Sequence, residues 1–511
     1  MSLFRRKPRP DQMPQQGAGY TTQQRYAEHV TRRETARRNI RRFTAVFIAL
    51  FAVMTVYFVY GAISHEAEYF NNDFNRRDEL LLKKDLRGSI YAGDGETVLA
   101  YSEAFINGDG EVDQERVYPF GPVFAHAVGY SEMGGSALEK YAKYDLLHSD
   151  LPLSRKVEYD RAYSIEERLY PGNQVVTTLD PALQMAAYNA MDGYEGAVLV
   201  TEVSTGRILA MVSKPDFDPG QIEELWDSLI ADTESGTLLN RATQGMYPPG
   251  STFKIVDCIE LLTEDPGAME SYRYDCSGIF EYEEKSIHCY EYERHGSLGL
   301  RESFAHSCNS SFANIGVNYL DQRKYAGTLK KLFFDRELPY DLPSAVSTAG
   351  DVENMPKEDV MQLSIGQGAT SMSPLHVHMI TSAVAADGTL YKPQLIKEVR
   401  DADGKQLRSY SAEKADILMS AEVAENVTQL MRLAVEGGTA IGLSDRSYEP
   451  CGKTGSAEFD TESRSSHAWF TGFAPASDPE ICITVLIEGK GMASSYAVPV
   501  AGKIMDVWFE E

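Results

Sequence analysis

Residues 247–254 read Tyr-Pro-Pro-Gly-Ser-Thr-Phe-Lys, and this stretch determines how the rest of the chain is interpreted. The Pro-Pro-Gly run cannot be helical, so the helix that follows is predicted to begin at Ser251. Its apolar residues recur with helical spacing at Ile255, Cys258, Ile259 and Leu262. A spacing of three residues places the Ser251 hydroxyl and the Lys254 amine on one helix face, within mutual reach. A serine beside an amine base is one arrangement of an activated nucleophile, although a serine at a helix start also serves as a simple N-cap.

Two further short motifs follow this pair. Ser307-Cys308-Asn309 lies between two helical patterns, which predicts that it forms an inter-helix connection. Lys453-Thr454-Gly455-Ser456 follows Pro450 and precedes a strand-rich segment, as an edge strand would. Gly452-Lys453-Thr454 also matches the end of a phosphate-binding loop, but that loop requires glycine at position 447, where this chain has serine. Phosphate binding is therefore excluded, and the three motifs together match the set used by penicillin-recognising serine acyltransferases.

Predicted β-hairpins flank the three motifs. Residues 196–203 and 207–213 are apolar, β-branched runs joined by the turn Ser204-Thr205-Gly206. Residues 467–475 and 480–488 form a second predicted hairpin near the C-terminus. Helical patterns lie between the two hairpins. Strands at both ends of a domain with helices between them predict an α+β fold around one antiparallel sheet.

The charge of the chain is strongly uneven. The 511 residues include 49 Lys and Arg against 75 Asp and Glu, a net charge of −26. Residues 1–42 alone carry 11 Lys and Arg against three acidic residues, so the remainder is even more acidic than the total. A nucleic-acid binder needs clustered basic residues, and we therefore exclude nucleic acid as a partner of the acidic part.

A hydrophobic run separates the basic and acidic regions. Residues 43–64 contain no charge and would span about 33 Å as a helix, enough for a bilayer core. A buried core helix is rarely apolar all round, and a cleavable signal peptide is shorter than this run and begins nearer the N-terminus. Six arginines between Arg32 and Arg42 adjoin its N-terminal side. The positive-inside rule places that side in the cytoplasm, so we expect a single-pass protein of the cell membrane with its later domains outside the cytoplasm.

These observations predict four segments. Residues 1–42 are rich in Arg, Pro, Gln and Gly, and we expect a disordered basic cytoplasmic tail. Residues 43–64 form the transmembrane helix, and residues 65–190 form a small, irregular α+β module. Residues 191–511 contain all three motifs and both hairpins, and form the main domain.

From about residue 65 onward, the chain resembles the class B penicillin-binding proteins, which are peptidoglycan D,D-transpeptidases. Besides the three motifs, the similarity rests on Arg87-Gly88-Ser89-Ile90, Gly129-Tyr130, Thr177-Thr178-Leu179-Asp180, Ile208-Leu209-Ala210-Met211, Ser364-Ile365-Gly366-Gln367-Gly368 and Trp469-Phe470-Thr471-Gly472-Phe473. The resemblance implies an N-terminal pedestal and a transpeptidase domain, like that of β-lactamases, with a five-stranded antiparallel sheet flanked by helices. Residues 65–190 lack the Glu-Asp pair that begins the glycosyltransferase motif of bifunctional relatives, so we expect a monofunctional enzyme.

The resemblance also implies a role for each motif residue. Ser251 would attack the penultimate D-Ala of a stem peptide, and a neutral Lys254 would take its proton. Ser307 would relay that proton, and Asn309 would hold Lys254 and the substrate amide. The remaining roles concern charge and substrate binding: Lys453 supplies positive potential, Thr454 and Gly455 border the substrate carboxylate, and the N–H groups of Ser251 and Ser456 form the oxyanion hole.

Three other functions are alternatives to the transpeptidase. A D,D-carboxypeptidase would use the same groups with water as acceptor, a β-lactamase would add fast deacylation, and a non-catalytic cell-wall scaffold would need none of them. The anchor, the pedestal and the complete motif set favour the transpeptidase. Its expected partners are peptidoglycan stem peptides, β-lactam antibiotics, the membrane and, as the family implies, a membrane-embedded SEDS-type glycan polymerase.

A separate group of residues lies between the first two motifs. Cys276, Cys289, His295 and Cys308 follow the pattern C-x12-C-x5-H-x12-C. Three thiolates and an imidazole suit a closed tetrahedral zinc site, as in some elongation-type relatives. An extracytoplasmic location also permits a Cys276–Cys289 disulfide, or all the thiols could be reduced. We expect no cofactor to be required for catalysis, and any zinc to be structural.

Overall fold

The computed structural model describes residues 21–65, 85–162, 169–460 and 465–510 of the chain. It divides into two compact units, residues 1–70 and residues 71–511, each of which is described by itself.

The first unit contains one long helix, α1, which spans Thr22–Ser64. Thr21 caps it, because its hydroxyl accepts from the Gln24 N–H at 3.4 Å while the Gln24 side chain accepts from the Thr21 N–H at 3.1 Å. Its apolar stretch has a mean hydropathy of 2.2, and by length and composition the helix could cross a membrane.

The prediction of a disordered tail over residues 1–42 is wrong for residues 22–42, which are the first half of α1. No proline or glycine occurs between Thr22 and Tyr60, and Gln, Arg, Ala and Glu favour a helix. A composition that cannot form a packed core can still form a single helix, because an isolated helix satisfies its own backbone hydrogen bonds. Residues 1–20 lie outside the described residues.

The second unit mixes strands and short helices. In chain order its strands are β1 (Asp85–Leu86), β2 (Ile90–Tyr91), β3 (Val98–Ile106), β4 (Val112–Val117), β5 (Tyr170–Pro171), β6 (Gln174–Thr177), β7 (Gly196–Glu202), β8 (Ile208–Lys214), β9 (Tyr274–Cys276), β10 (Ile279–Tyr282), β11 (Lys285–His288), β12 (Gly296–Leu298), β13 (Thr389–Tyr391), β14 (Ile396–Arg400), β15 (Gln406–Ser409), β16 (Lys414–Ile417), β17 (Cys451–Asp460), β18 (Ser465–Ala474) and β19 (Ile481–Ile487). Its α-helices are α2 (Ala125–Val128), α3 (Ala137–Tyr141), α4 (Lys143–Leu147), α5 (Leu153–Ala162), α6 (Pro181–Ala190), α7 (Ile222–Ala231), α8 (Lys254–Glu264), α9 (Ala268–Ser271), α10 (Leu300–Ala305), α11 (Asn309–Asn318), α12 (Gln322–Lys331), α13 (Lys357–Leu363), α14 (Pro374–Ala385), α15 (Ala421–Glu436) and α16 (Ala497–Trp508).

The main sheet has five antiparallel strands in the order β17-β18-β19-β7-β8. Both predicted hairpins are present, as β7–β8 and β18–β19, and the predicted α+β fold with a five-stranded antiparallel sheet is confirmed. Helices α6 and α16 cover one face of this sheet, and α14 covers the other, with α8 and α15 beyond it in the same core. The strand at one edge, β17, carries the Lys-Thr-Gly motif near its start.

A second sheet has six strands in the order β15-β14-β6-β2-β3-β4. Its strands come from two distant parts of the chain, which join where β6 pairs antiparallel with β14. In this pairing Thr177 lies opposite Ile396, and Gln174 lies opposite Arg400. Helix α6, which precedes the predicted domain boundary, packs on β8 and α16 of the main sheet.

The predicted division at residues 190 and 191 is therefore not where the structure divides. Strands β14 and β15 complete the pedestal sheet, α6 belongs with the main sheet, and residues 71–511 form one compact unit. Local patterns identify these strands and helices but carry no information about which distant partners they join.

Candidate active site

The turn before α8 places Ser251 at the edge of the main sheet. Residues Gly250–Phe253 form a short 3₁₀ turn that continues into α8, so Ser251 and Lys254 follow one another on the same helical path. Gly250 has a φ of +54°, and a Cβ there would lie 2.9 Å from the Ala457 Cβ. Glycine is required at this position because β17 approaches the turn this closely.

Lys254 joins the first two motifs. Its Nζ donates to the Ser307 carbonyl oxygen at 2.8 Å and to the Asn309 Oδ1 at 2.8 Å, and it lies 3.2 Å from the Ser307 Oγ. Ser307 has a φ of +55°, an unfavourable conformation for a non-glycine residue. Such strained positions cluster at functional sites, and here the strain turns both side chains of the motif toward Lys254.

Lys453 brings the third motif to the same hydroxyl. Its Nζ donates to the Ser307 Oγ at 3.0 Å and to the Thr454 carbonyl oxygen at 2.9 Å. The Ser307 hydroxyl therefore lies between the amines of Lys254 and Lys453. A hydroxyl has two acceptor lone pairs and one proton, so Ser307 can accept from both amines and still donate.

Both lysine amines are in an environment that favours their neutral form. Lys254 and Lys453 are 0 % exposed. Burial lowers the pKa of Lys254 to about 8, while the Cys308 and Cys289 sulfurs act in the opposite direction. Burial and the nearby Lys254 charge hold the pKa of Lys453 well below its usual range. A neutral amine can accept a proton, so Lys254 is suited to act as a base.

The Lys-Thr-Gly strand lies directly against the Ser251 turn. A Cβ on Gly455 would lie 3.0 Å from the Pro249 carbonyl oxygen and 3.2 Å from the Thr252 nitrogen. Ser456 is exposed on the edge strand, and the Thr454 hydroxyl lies 2.5 Å from that of Thr439. All eight motif residues predicted from the sequence therefore belong to segments that meet at one cleft.

The predicted metal ligands also come together. Cys276 ends β9, Cys289 follows β11, His295 precedes β12 and Cys308 precedes α11. Their ligand atoms all lie within 4.8 Å of one another. The three Sγ–Sγ distances are 3.6, 3.6 and 3.5 Å, and the Cys276 Sγ lies 3.4 Å from the His295 Nδ1. A tetrahedral zinc ion with bonds of about 2.3 Å to sulfur separates two sulfurs by about 3.8 Å, so this donor set fits zinc.

The cysteines of the cluster are free thiols in this structure. The 3.6 Å between the Cys276 and Cys289 sulfurs is much longer than a disulfide bond of about 2.05 Å. Hydrogen bonds from the Cys308 thiol and from Ser310 lower the pKa of Cys289 to about 4. The hydrogen bond to Cys289, with burial, raises the pKa of Cys308. One thiolate is thus favoured before any metal binds.

Three residues to which the sequence assigned no role contact the motifs or the strand that carries one. Thr439 touches Thr454, the Gln367 amide faces the backbone of Glu458 on β17, and the His288 carbonyl oxygen accepts from the Asn309 Nδ2 at 3.0 Å. Thr439 follows two glycines and Gln367 lies between two, and a glycine cluster outside a turn signals close backbone approach. No comparable signal marks His288, because it contributes only its backbone.

Comparison with known families agrees with this geometry. The family described as penicillin binding protein transpeptidase domain matches residues 196–506, which include all three motifs. The chain belongs to this family. This match, with the D,D-transpeptidase relatives and the solved structures given next, identifies the chain as a class B penicillin-binding protein.

Curated relatives extend the similarity beyond the matched domain. Peptidoglycan D,D-transpeptidase PbpA of Mycolicibacterium smegmatis is 31 % identical over 437 residues, which cover 79 % of this chain and 84 % of the relative. Peptidoglycan D,D-transpeptidase MrdA of Acinetobacter baumannii is 28 % identical over 78 % of this chain and 66 % of its own length.

Solved structures of penicillin-binding proteins share the fold. Penicillin-binding protein A from M. tuberculosis, in a ceftriaxone acyl-enzyme complex, superposes with a TM-score of 0.74 at 28 % identity and covers 83 % of this chain and 98 % of that one. The D,D-transpeptidase domain of a peptidoglycan glycosyltransferase from Eggerthella lenta gives 0.72 at 27 % identity, with 84 % and 99 % covered.

Proposed function

We propose that this penicillin-binding protein is a serine D,D-transpeptidase that cross-links peptidoglycan stem peptides through an acyl-enzyme on Ser251. The observation that carries the proposal is the Ser307 hydroxyl, which lies 3.2 Å from the Lys254 amine and 3.0 Å from the Lys453 amine. This arrangement connects a base to a proton relay beside the nucleophile. The names of the relatives support the substrate class.

Acylation begins when the Ser251 Oγ attacks the carbonyl carbon of the penultimate D-Ala. Neutral Lys254 takes the hydroxyl proton, and the Ser307 hydroxyl passes a proton to the amine of the departing terminal D-Ala. The C–N bond of the D-Ala–D-Ala peptide breaks as the ester to Ser251 forms. Asn309 keeps Lys254 in place through the 2.8 Å hydrogen bond to its Oδ1.

Other groups of the cleft stabilise the two negative charges of the reacting substrate, the oxyanion and the terminal carboxylate. The N–H groups of Ser251 and Ser456 stabilise the oxyanion of the tetrahedral intermediate, at about 3 to 4 kcal/mol for each donor. Thr454 donates its hydroxyl to the terminal carboxylate. Burial does not favour the positive charge expected of Lys453, so we assign its amine the 3.0 Å hydrogen bond to the Ser307 hydroxyl. The amine of a second stem peptide then attacks the ester carbonyl and returns a proton to Ser251, which completes the cross-link without a glycosyltransferase step in this chain.

Fluorescent penicillin tests the proposed nucleophile, because the β-lactam carbonyl forms the same ester. We expect the purified full-length chain to form a long-lived covalent adduct, and Ser251→Ala to form none. Pro249, not Ser251, holds the cap position of this turn, so the substitution removes no helix cap and the variant should still fold. The measurement is gel fluorescence together with the mass of the intact protein and a thermal melt.

Ser444→Ala is the matched control, because Ser444 is an exposed serine away from the motifs and should leave labelling unchanged. Labelling of the Ser251→Ala variant would show that another residue is the nucleophile. Rapid turnover of the adduct by the native chain would instead identify a hydrolase, and absence of any adduct would identify a scaffold.

We further propose that Cys276, Cys289, His295 and Cys308 hold a structural zinc ion. Its role would be to fix the strands β9, β11 and β12 behind the second motif, since Cys308 lies between Ser307 and Asn309. The mutual spacing of the four ligand atoms within 4.8 Å supports this reading. The metal takes no part in the acylation chemistry described above.

Elemental analysis tests the zinc site. We expect one zinc per chain and six titratable thiols after denaturation without reductant, because the sequence contains six cysteines. Absence of zinc with only four titratable thiols would replace the metal with the disulfide alternative.

We also propose that α1 anchors the chain with its arginine-rich end in the cytoplasm, which leaves the catalytic unit on the side where peptidoglycan is built. The apolar stretch of α1 and the arginines next to it support this topology. A SEDS-type glycan polymerase in the same membrane is the partner that we predict for the anchored enzyme. Crosslinking from α1 in native membranes, followed by identification of the adduct, tests that partner.

A further inference from the structure

The outer edge of β17 has a defined set of backbone groups facing the cleft. Ser466 lies opposite Glu458 on β18, and its carbonyl oxygen accepts from the Gly491 N–H at 2.8 Å, on the side of β18 that faces away from β17. The backbone groups of Glu458 therefore face away from β18. Because these groups alternate along an antiparallel strand, the N–H and C=O of Ser456 and Thr454 also face the cleft.

Gln367 occupies the last of these outward-facing positions. With its amide in the orientation that satisfies both groups, Gln367 Nε2 donates to the Glu458 carbonyl oxygen at 3.2 Å, and its Oε1 accepts from the Glu458 N–H at 3.2 Å. The side chain thus pairs with β17 as a neighbouring strand would. The backbone groups of β17 that remain available to a bound peptide therefore end at Ser456.

The residue before Gln367 contacts the other side of the cleft. The Gly250 N–H donates to the Gly366 carbonyl oxygen at 3.0 Å. Gly366 has a φ of +71°, and a Cβ there would lie 1.9 Å from the Gly250 carbonyl oxygen. Gly366 therefore contacts Gly250, the residue before Ser251. Its neighbour Gln367 contacts Glu458, two residues after Ser456.

We infer that Gln367 is a positioning residue for the oxyanion hole: it fixes the Ser456 N–H relative to the Ser251 N–H and ends the edge along which the donor peptide can pair. This inference rests on the proposed transpeptidase function. Oxyanion donors act only when they lie about 2.7 to 3.1 Å from the developing charge, so small displacements of β17 lower the acylation rate. Gln367 itself touches neither the nucleophile nor the substrate.

The chemistry of the Gln367 contact provides a specific test. A protonated carboxylic acid has one donor and one acceptor, as the amide has, so Gln367→Glu keeps both bonds at low pH. When the new carboxyl group ionises, it loses its donor and repels the Glu458 carbonyl oxygen. The variant should therefore be rescued by acid, and a residue that only fills space would not produce this signature.

The experiment measures penicillin acylation of the full-length chain from pH 4.0 to 8.5, because an ordinary glutamate ionises near pH 4.3. The variant rate constant is divided by the native one at each pH. This ratio cancels the titration of Lys254 and Lys453, which both proteins share. A Glu458→Gln background removes the neighbouring carboxylate from the comparison. We expect Gln367→Glu to lie within about threefold of native at pH 4.0, where most of the new carboxyl is protonated, and to fall about 30-fold or more below it at pH 8.5.

Two further variants complete the test. Gln367→Ala should lose about 10- to 100-fold in the acylation rate constant at every pH, with an unchanged dissociation constant for the non-covalent penicillin complex. Gln406→Glu makes the same change at an exposed glutamine of β15 and should behave as native.

A pH-independent ratio for Gln367→Glu, or native acylation by Gln367→Ala, would overturn the inference. An effect of Gln367→Ala on the dissociation constant alone would overturn it as well. Failure of the native chain to form an adduct would instead overturn the proposed function, and with it this inference.

Discussion

The catalytic cleft and the cysteine–histidine cluster lie on two sides of one turn. The cleft favours the neutral form of its ionisable groups, whereas the cluster favours a charged form. In the cleft, burial lowers the pKa of both Lys254 and Lys453, so the amines tend toward neutrality. In the cluster, hydrogen bonds lower the pKa of Cys289 and favour an anion. Ser307 belongs to the cleft and Cys308 to the cluster, although they are adjacent in the chain.

The two regions therefore influence each other electrostatically. The sulfurs of Cys308 and Cys289 raise the pKa of Lys254, against the larger effect of burial. A cation bound by the thiolates would offset their charge. A zinc ion held by the cluster would therefore allow three cysteines to lie this close to a lysine that must be neutral.

The largest expected effect comes from Lys254 itself. Because Lys254 must be neutral to accept the Ser251 proton, and burial lowers its pKa to about 8, acylation should rise with pH and level off above about pH 8. Below that value the rate should fall about tenfold per pH unit. Lys254→Ala should lose about 10³-fold and this pH dependence, as measured by stopped-flow labelling with fluorescent penicillin.

Lys503→Ala is the control for this prediction, because Lys503 is exposed on α16 and contacts none of the motifs. It should keep the native pH profile. A native profile that is flat between pH 6 and 9 would contradict the assignment of Lys254 as the base.

The cluster should produce a smaller, indirect effect. Removing the proposed zinc with a chelator, or changing Cys276 to Ser, should lower the acylation rate about tenfold and lower the melting temperature, because the turn at Ser307 loses its support. Adding zinc back should restore the chelated native protein. Rate and melting temperature are measured on the same samples.

The Cys276→Ser variant is also the control for the chelator, since it should be insensitive to further chelation. A native protein that keeps its full rate and stability in chelator would separate the cluster from the cleft and remove the link between the two regions.

Much of the fold follows from local sequence. The hairpins β7–β8 and β18–β19 are visible as short β-branched runs with turn residues between them, and the five-stranded sheet follows from their resemblance to the family. The pairing of β6 with β14 is not visible, because two short strands more than 200 residues apart carry no mark of partnership. The helical start of α1 is not predicted from composition, because the prolines and glycines of the tail lie before Thr22 and the residues after it favour a helix.

The active site was predictable to the extent that side chains carry the chemistry. Ser251, Lys254, Ser307 and Lys453 have characteristic spacing, so the three motifs could be joined before any coordinates were known. Gln367 acts through the backbone of β17, so no side-chain spacing identifies it, and its flanking glycines signal only that two backbones approach closely. The choice between zinc and a disulfide could not be made from residue spacing, because both use the same cysteines.

The smallest predicted effect concerns Thr439, which sharpens the distinction between groups that react and groups that orient them. Its hydroxyl lies 2.5 Å from the Thr454 hydroxyl. Thr454 has one proton to donate, so it can donate to the substrate carboxylate only if it accepts from Thr439. Thr439→Val removes that donor at nearly constant shape. The loss of one hydrogen bond, about 1 kcal/mol, should weaken non-covalent penicillin binding about fivefold.

Thr439→Ser is the matched control, because it keeps the hydroxyl and should bind penicillin as the native chain does. The acylation rate constant at saturating penicillin should change little in Thr439→Val, since the carboxylate contact is made before and after the attack of Ser251. Stopped-flow labelling over a range of penicillin concentrations separates the two constants. A tenfold or larger fall in the rate constant, with unchanged binding, would contradict this assignment and place Thr439 among the residues that act on the transition state.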